Sequence, residues 1–204
     1  MPFGRARSVW CEPMQRRLIT PFALAAVALL AACGSTGSSG TGSATTTAPQ
    51  SLLSSASWEK AKPNPSISAK MICQKEARVD IASSLGIKET RITTPTWVEK
   101  THLYSCSYVY PQGKITLSVK EMSSEHETTA YFDSIRKQYG STQQLIGLGQ
   151  GAWILENNDV VVRKDYKVLL VDVTGVPANF RPIMQRSDVA TNIAVAIMGC
   201  WSGA

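Results

Sequence analysis

Five cysteines and two histidines are the residues of this 204-residue chain best suited to chemistry. Cys73, Cys106 and Cys200 stand far apart, without the Cys-x-x-Cys pairs by which zinc sites usually declare themselves. A cysteine nucleophile needs a base beside it, and the only histidine candidates are His102 and His126. His102 falls near a turn or strand end. His126 lies between Glu125 and Glu127 in what reads as the first turn of a helix, where adjacent side chains point in different directions and do not converge on a metal. No Gly-x-Ser-x-Gly elbow occurs. The run Gly147-Leu148-Gly149-Gln150-Gly151 lacks the Lys-Ser/Thr ending of a phosphate loop and precedes a strand, so a turn needing positive φ accounts for its glycines. These spacings point to no catalytic set, no metal and no cofactor. In an oxidising compartment the three thiols allow three pairings, each leaving one over.

Cys33 stands elsewhere, at the end of an uncharged run from Leu18 to Ala32 that follows Arg5, Arg7, Arg16 and Arg17. The run is about 15 residues, short of the roughly 20 that a spanning helix needs. A basic region, a short apolar region and small residues before a processing point are the parts of a secretory signal peptide. Leu30-Ala31-Ala32-Cys33 resembles a bacterial lipobox. That resemblance implies cleavage between Ala32 and Cys33, a diacylglycerol thioether on Cys33, and a mature chain that begins there. Met14 opens a complete compact signal of its own, so Met1 to Pro13, Cys11 included, reads as an over-extended start.

Residues 33–57 carry Ser, Thr, Gly and Ala with almost no charge, a composition unable to bury enough apolar surface to offset its ordering entropy. They read as a flexible tether with an r.m.s. reach of about 25 Å. Residues 58–204 are then one domain by size. The formal net charge is +6, but residues 1–32 hold four Arg and one Glu, so the mature chain carries about +3. Much of the basicity belongs to the leader, and no Lys/Arg stripe with interleaved aromatics follows it. Nucleic acid is not an expected partner.

The elements follow from periodicity. Ser68 to Leu85 spaces Ile72, Val79, Ala82 and Leu85 near helical intervals, and Gly86 supplies the stop. "WVEKTH", "LYSCSYVY" and "KITLSVKEM" read as three strands, with Pro111-Gln112-Gly113 turning the second pair. Ser124 and Glu127 predict a capping box for a helix whose stripe is Phe132, Ile135 and Tyr139, ending at Gly140. "AWILE", "DVVVRKD" and "KVLLVDV" read as three more strands, and Ser187 to Met198 as a last helix with Val189, Ile193, Ala196 and Ile197 inward. The order α-βββ-α-βββ-α with short turns predicts an α+β domain: a two-layer antiparallel sheet of about six strands with three helices. Trp97 and Trp153 open corresponding strands and read as core residues.

Taken together, the lipobox, the tether, "ICQKEARVDIASSLG", "YSCSYVY" and "GLGQGAWILENNDVVVRKDYKVLLVDV" resemble a group of largely uncharacterised actinobacterial (mycobacterial-type) lipoproteins. The domain of that group is similar to the extracellular sensor domain of the mycobacterial Ser/Thr kinase PknH. The resemblance implies an extracytoplasmic domain held on the cell membrane by its lipid. It also favours a disulfide between Cys73 and Cys106 over the rival Cys73–Cys200 pair. It carries over no catalytic residues.

The function expected is a non-catalytic binding or sensing module of the cell envelope, meeting an envelope protein or a lipid. One alternative is a carrier of an apolar ligand such as a lipid, in a cavity lined by Leu117, Phe132, Ile154 and Leu170. Another is an envelope enzyme whose site is too dispersed to read from one sequence.

Overall fold

The computed structural model describes residues 59–202, the side chain of Ser202 excepted. Ala32, Cys33, the tether and the expected domain start at Trp58 lie outside the described residues. Within them the chain is α+β, as the patterning predicts. It runs α1 (Ile67–Met71), α2 (Lys75–Leu85), β1 (Arg91–Ile92), β2 (Thr96–Val98), β3 (Leu103–Tyr110), β4 (Gly113–Glu121), α3 (Glu125–Tyr139) and β5 (Ser141–Gln144). It continues β6 (Gly151–Leu155), β7 (Val160–Lys164), β8 (Lys167–Asp172), β9 (Asn179–Arg181), β10 (Met184–Gln185) and α4 (Arg186–Ser202). Eight strands form one sheet in the order β1-β3-β4-β8-β7-β6-β5, with β2 also against β3, and β9 and β10 form a separate hairpin. Every pair is antiparallel.

All six expected strands are present, as β2, β3, β4, β6, β7 and β8, and pairing of β4 with β8 fuses the two sets. The additional strands β1, β5, β9 and β10 are two to four residues long. "WVEKTH" is strand only to Val98; Glu99–Thr101 form a turn that closes on His102 in the left-handed region, φ 48°.

The expected first helix is two. After Met71 the helix is interrupted, and Gln74 is the extended N-cap of α2 (φ −84°, ψ 172°). The break reorients the stripe: Ala77, Ile81 and Leu85 are buried, whereas Val79, expected inward, is 57% exposed. Gly86 does stop α2 in the left-handed conformation, φ 62°. Ser124 Oγ accepts the Glu127 N–H at 3.2 Å as a capping box requires, but Glu127 Oε2 returns to Ser123 N–H rather than to Ser124. Phe132 and Ile135 are buried on α3, while Tyr139 is 40% exposed. In α4, 17 residues long, Val189, Ile193 and Ile197 are buried as expected and Ala196 is half-buried.

Strand alternation divides the core. Tyr104, Cys106 and Tyr108 of β3, Ile115, Leu117 and Val119 of β4, and Val160 and Val162 of β7 face α1, α2 and α4. Val161 and Val168 face the other way and pack with Phe132 and Ile135 of α3 in a smaller second core. The sheet thus carries its main helical layer on one face and α3 alone on the other.

Candidate functional site

Cys73 sits in the break between α1 and α2, directly over Cys106 of β3, and the two are bonded with Cα atoms 6.1 Å apart. The interruption of the helix is what presents Cys73 to the sheet. Cys200 takes no part in this bond; it is half-buried on α4, and its Sγ–H donates to Asp80 Oδ2 at 3.4 Å. Burial, then the Asp80 carboxylate, pushes this thiol up to about 11, which keeps it protonated and a poor nucleophile.

The two histidines are placed by different elements. His102 closes the turn after β2, its ring 5.9 Å from that of Trp97, and its carbonyl accepts the Glu121 N–H. His126 is exposed in the first turn of α3. Among the described residues no group of three or more His, Cys, Asp or Glu is arranged to hold a metal. A Ser-x-x-Lys spacing, as in some serine acyl-transfer enzymes, does occur, at Ser57 and Lys60, of which Ser57 lies outside the described residues, and at Ser134 and Lys137. Ser134 and Lys137 are exposed on α3, and Ser134 Oγ donates to Tyr131 O of its own helix at 2.7 Å.

The glycine run 147–151 is a turn. Gly147 and Gly149 have φ of 80° and 60°, and a Cβ on Gly149 would stand 2.6 Å from Arg163 O. The turn lies against α4 between two shallow grooves of about 590 and 500 Å³ that share Gly147 and Val195.

A third groove, about 410 Å³, lies beside α2 and is lined by Lys75, Arg78, Val79, Ala82, Lys88 and Glu89. Val79, which pattern reading placed in the core, forms its exposed apolar wall. Arg78 is committed to Glu89, with its Nη2 2.6 Å and its Nε 2.8 Å from Glu89 Oε1. The exposed Lys75 and Lys88 have no ion-pair partner among the described residues. The Glu89 side chain is 1% exposed, and its Oε2 makes no hydrogen bond; neither does the buried hydroxyl of Tyr110. Burial, reinforced by Glu89, raises the Tyr110 hydroxyl, so it stays a donor. Composition alone could not have found this groove, because Lys88 and Glu89 reach α2 only through the reversal at Gly86.

Leu117 and Ile154 belong to the main core, Phe132 and Leu170 to the second. The sheet separates the two pairs, so the four residues expected to line one carrier cavity do not do so. Trp97 and Trp153 are half-buried rather than central. Trp97 Nε1–H donates to Pro63 O at 2.7 Å, and the Arg136 guanidinium stacks 4.1 Å from the Trp153 ring centre.

Comparison of the chain with protein-family models, curated proteins and solved structures finds no match.

Proposed function

We propose that the chain is a membrane-anchored lipoprotein whose extracytoplasmic domain is a non-catalytic binding or sensing module of the cell envelope. The lipobox at Leu30-Ala31-Ala32-Cys33 and its resemblance to actinobacterial lipoproteins support the anchor. The Cys73–Cys106 disulfide supports export, because such bonds persist in oxidising compartments. The observation that carries the binding reading is the groove beside α2. Its wall is apolar at Val79 and Ala82, and its rim holds two lysines with no carboxylate partner. That combination suits a ligand bearing both an anionic group and an apolar portion: ammonium groups bind the anion, and the wall gains from covering apolar area.

Two measurements test the reading. Cys33→Ser should move the protein from the membrane fraction to the soluble one; retention in the membrane overturns the anchor. For the groove, the secreted Cys33→Ser protein is melted with octyl phosphate, below its micelle concentration, or with inorganic phosphate or octyl glucoside. Binding to the native state alone raises the melting temperature with ligand concentration. Octyl phosphate should do so, the two controls should not, and Lys75→Glu with Lys88→Glu should abolish the rise. A rise that survives the double substitution, or no rise at all, sinks the groove as the site.

A further inference from the structure

One cross-strand row marks one end of the large sheet: Val98, Leu103, Lys120, Val168, Arg163 and Gly151 stand opposite one another from β2 across to β6. The chain coming from Cys33 joins the domain just past this row. Lys167 Nζ donates to Glu59 O at 2.7 Å, Ala61 N–H to Met122 O at 2.9 Å, and Trp97 Nε1–H to Pro63 O.

The glycine turn leaves the sheet past the same row, since Leu145 N–H bonds Ala152 O and Gln150 N–H bonds Arg163 O. At its tip Ile146 is 93% exposed. Ile67, 61% exposed, follows Ser66, whose N–H and Oγ–H both donate to Glu121 at the end of β4. Val98, in the row itself, is 47% exposed. Three of the seven most exposed large apolar side chains among the described residues therefore lie toward the end of the sheet at which the tether enters. Ile183, 95% exposed, lies at the opposite end, in the hairpin whose Phe180 packs on Tyr110. Charge at the tether end is mixed: exposed Lys60, Lys62 and Lys100 share it with Glu99, Glu125 and Glu127. Apolar contact rather than net charge therefore sets the chemistry of whatever meets it.

We propose that this end docks on the bilayer that holds the Cys33 lipid, with Ile146, Ile67 and Val98 entering the interfacial layer. The proposal rests on the anchored-lipoprotein reading. Residues 34–57, read from their composition as a tether, leave the domain free to stand away, yet the entry point lets it settle on this end without turning over. Each inserted aliphatic side chain contributes through the apolar area it removes from water, and flanking lysine stems lie along the interface with their ammonium groups in the headgroups. The covalent tether keeps the surface at high effective concentration, so contacts too weak for a free protein suffice.

The test uses the full acylated chain with Cys200→Ala, carrying Ile146→Cys labelled with a polarity-sensitive fluorophore, in phosphatidylcholine vesicles. A second preparation carries the label at Ile183→Cys. The proposal expects a blue-shifted emission at 146, quenched several-fold more strongly by nitroxide-labelled lipids than at 183, and indifferent to high salt. Emission at 146 matching that at 183, in protein that floats with the vesicles, overturns the docking alone. A blue shift that grows with protein density rather than with lipid assigns the surface to a second copy and overturns it too. A chain that does not float with the vesicles overturns the anchor, and the docking with it.

Discussion

At the scale of the residue, Asp159 is a carboxylate whose environment opposes its charge. It is 4% exposed, and burial raises it from the ordinary 3.8 to about 6. Repulsion from Asp172 adds to that, while the Val173 N–H at 2.8 Å and Asn157 Nδ2 at 2.6 Å oppose it. Between about pH 4 and pH 6 the folded chain holds a proton here that the unfolded chain has lost. Asp159 therefore makes stability fall as pH rises through that window, by on the order of 3 kcal/mol in total, since one pKa unit is about 1.4 kcal/mol. Asp159→Asn keeps an oxygen for Val173 N–H and removes the titration. Urea unfolding of both proteins at pH 4, 5, 6 and 7 should show the variant gaining on the wild type by that amount across the window. Parallel stability curves would sink the assignment.

At the scale of the element, the β3–β4 hairpin shows what backbone sterics demand. Gly113 has φ 145°, and a Cβ there would stand 2.1 Å from Gly175 O, which also accepts Lys114 N–H at 3.0 Å. Gly113→Ala should cost about 1–3 kcal/mol for its conformation alone, and more for the backbone it displaces, read as a lower urea midpoint. An unchanged midpoint would mean that the loop after β8 yields freely. Pro111-Gln112-Gly113 was legible as a turn because proline and glycine mark turns locally, and Ile115, Leu117 and Val119 were legible because period two is a local signal. The missed strands lacked any such signal. β5 is Ser-Thr-Gln-Gln, a strand only because β6 lies beside it; β1 is held by pairing with β3, and β9, paired only with β10, by the packing of Phe180 on Tyr110. The break at Ile72-Cys73-Gln74 was invisible for the same reason: it coincides with a bond from Cys73 to Cys106, 33 residues on. The groove beside α2 shares that cause, since the break exposes Val79 and only the fold brings Lys88 and Glu89 to it.

At the scale of the whole molecule, the two strand sets are not two bodies. β4 pairs with β8 over six residues, and α4 crosses from α2 to β7 and β8, so both sets share one main core. The second core under α3 uses the reverse faces of β7 and β8 and cannot survive without them. Such sharing predicts a single cooperative unfolding transition, with near-UV and far-UV signals melting together. The disulfide acts on that one transition. Closing a loop of 33 residues restricts the unfolded chain and contributes about 3–4 kcal/mol. Cys73→Ala with Cys106→Ala should therefore lower the melting temperature on the order of 10 °C for a domain of this size. The transition should stay single, because the bond ties the α1–α2 break to β3 within the shared core rather than joining separate units. Were the double variant to melt in two steps, the helical layer would be a unit that the disulfide alone couples to the sheet.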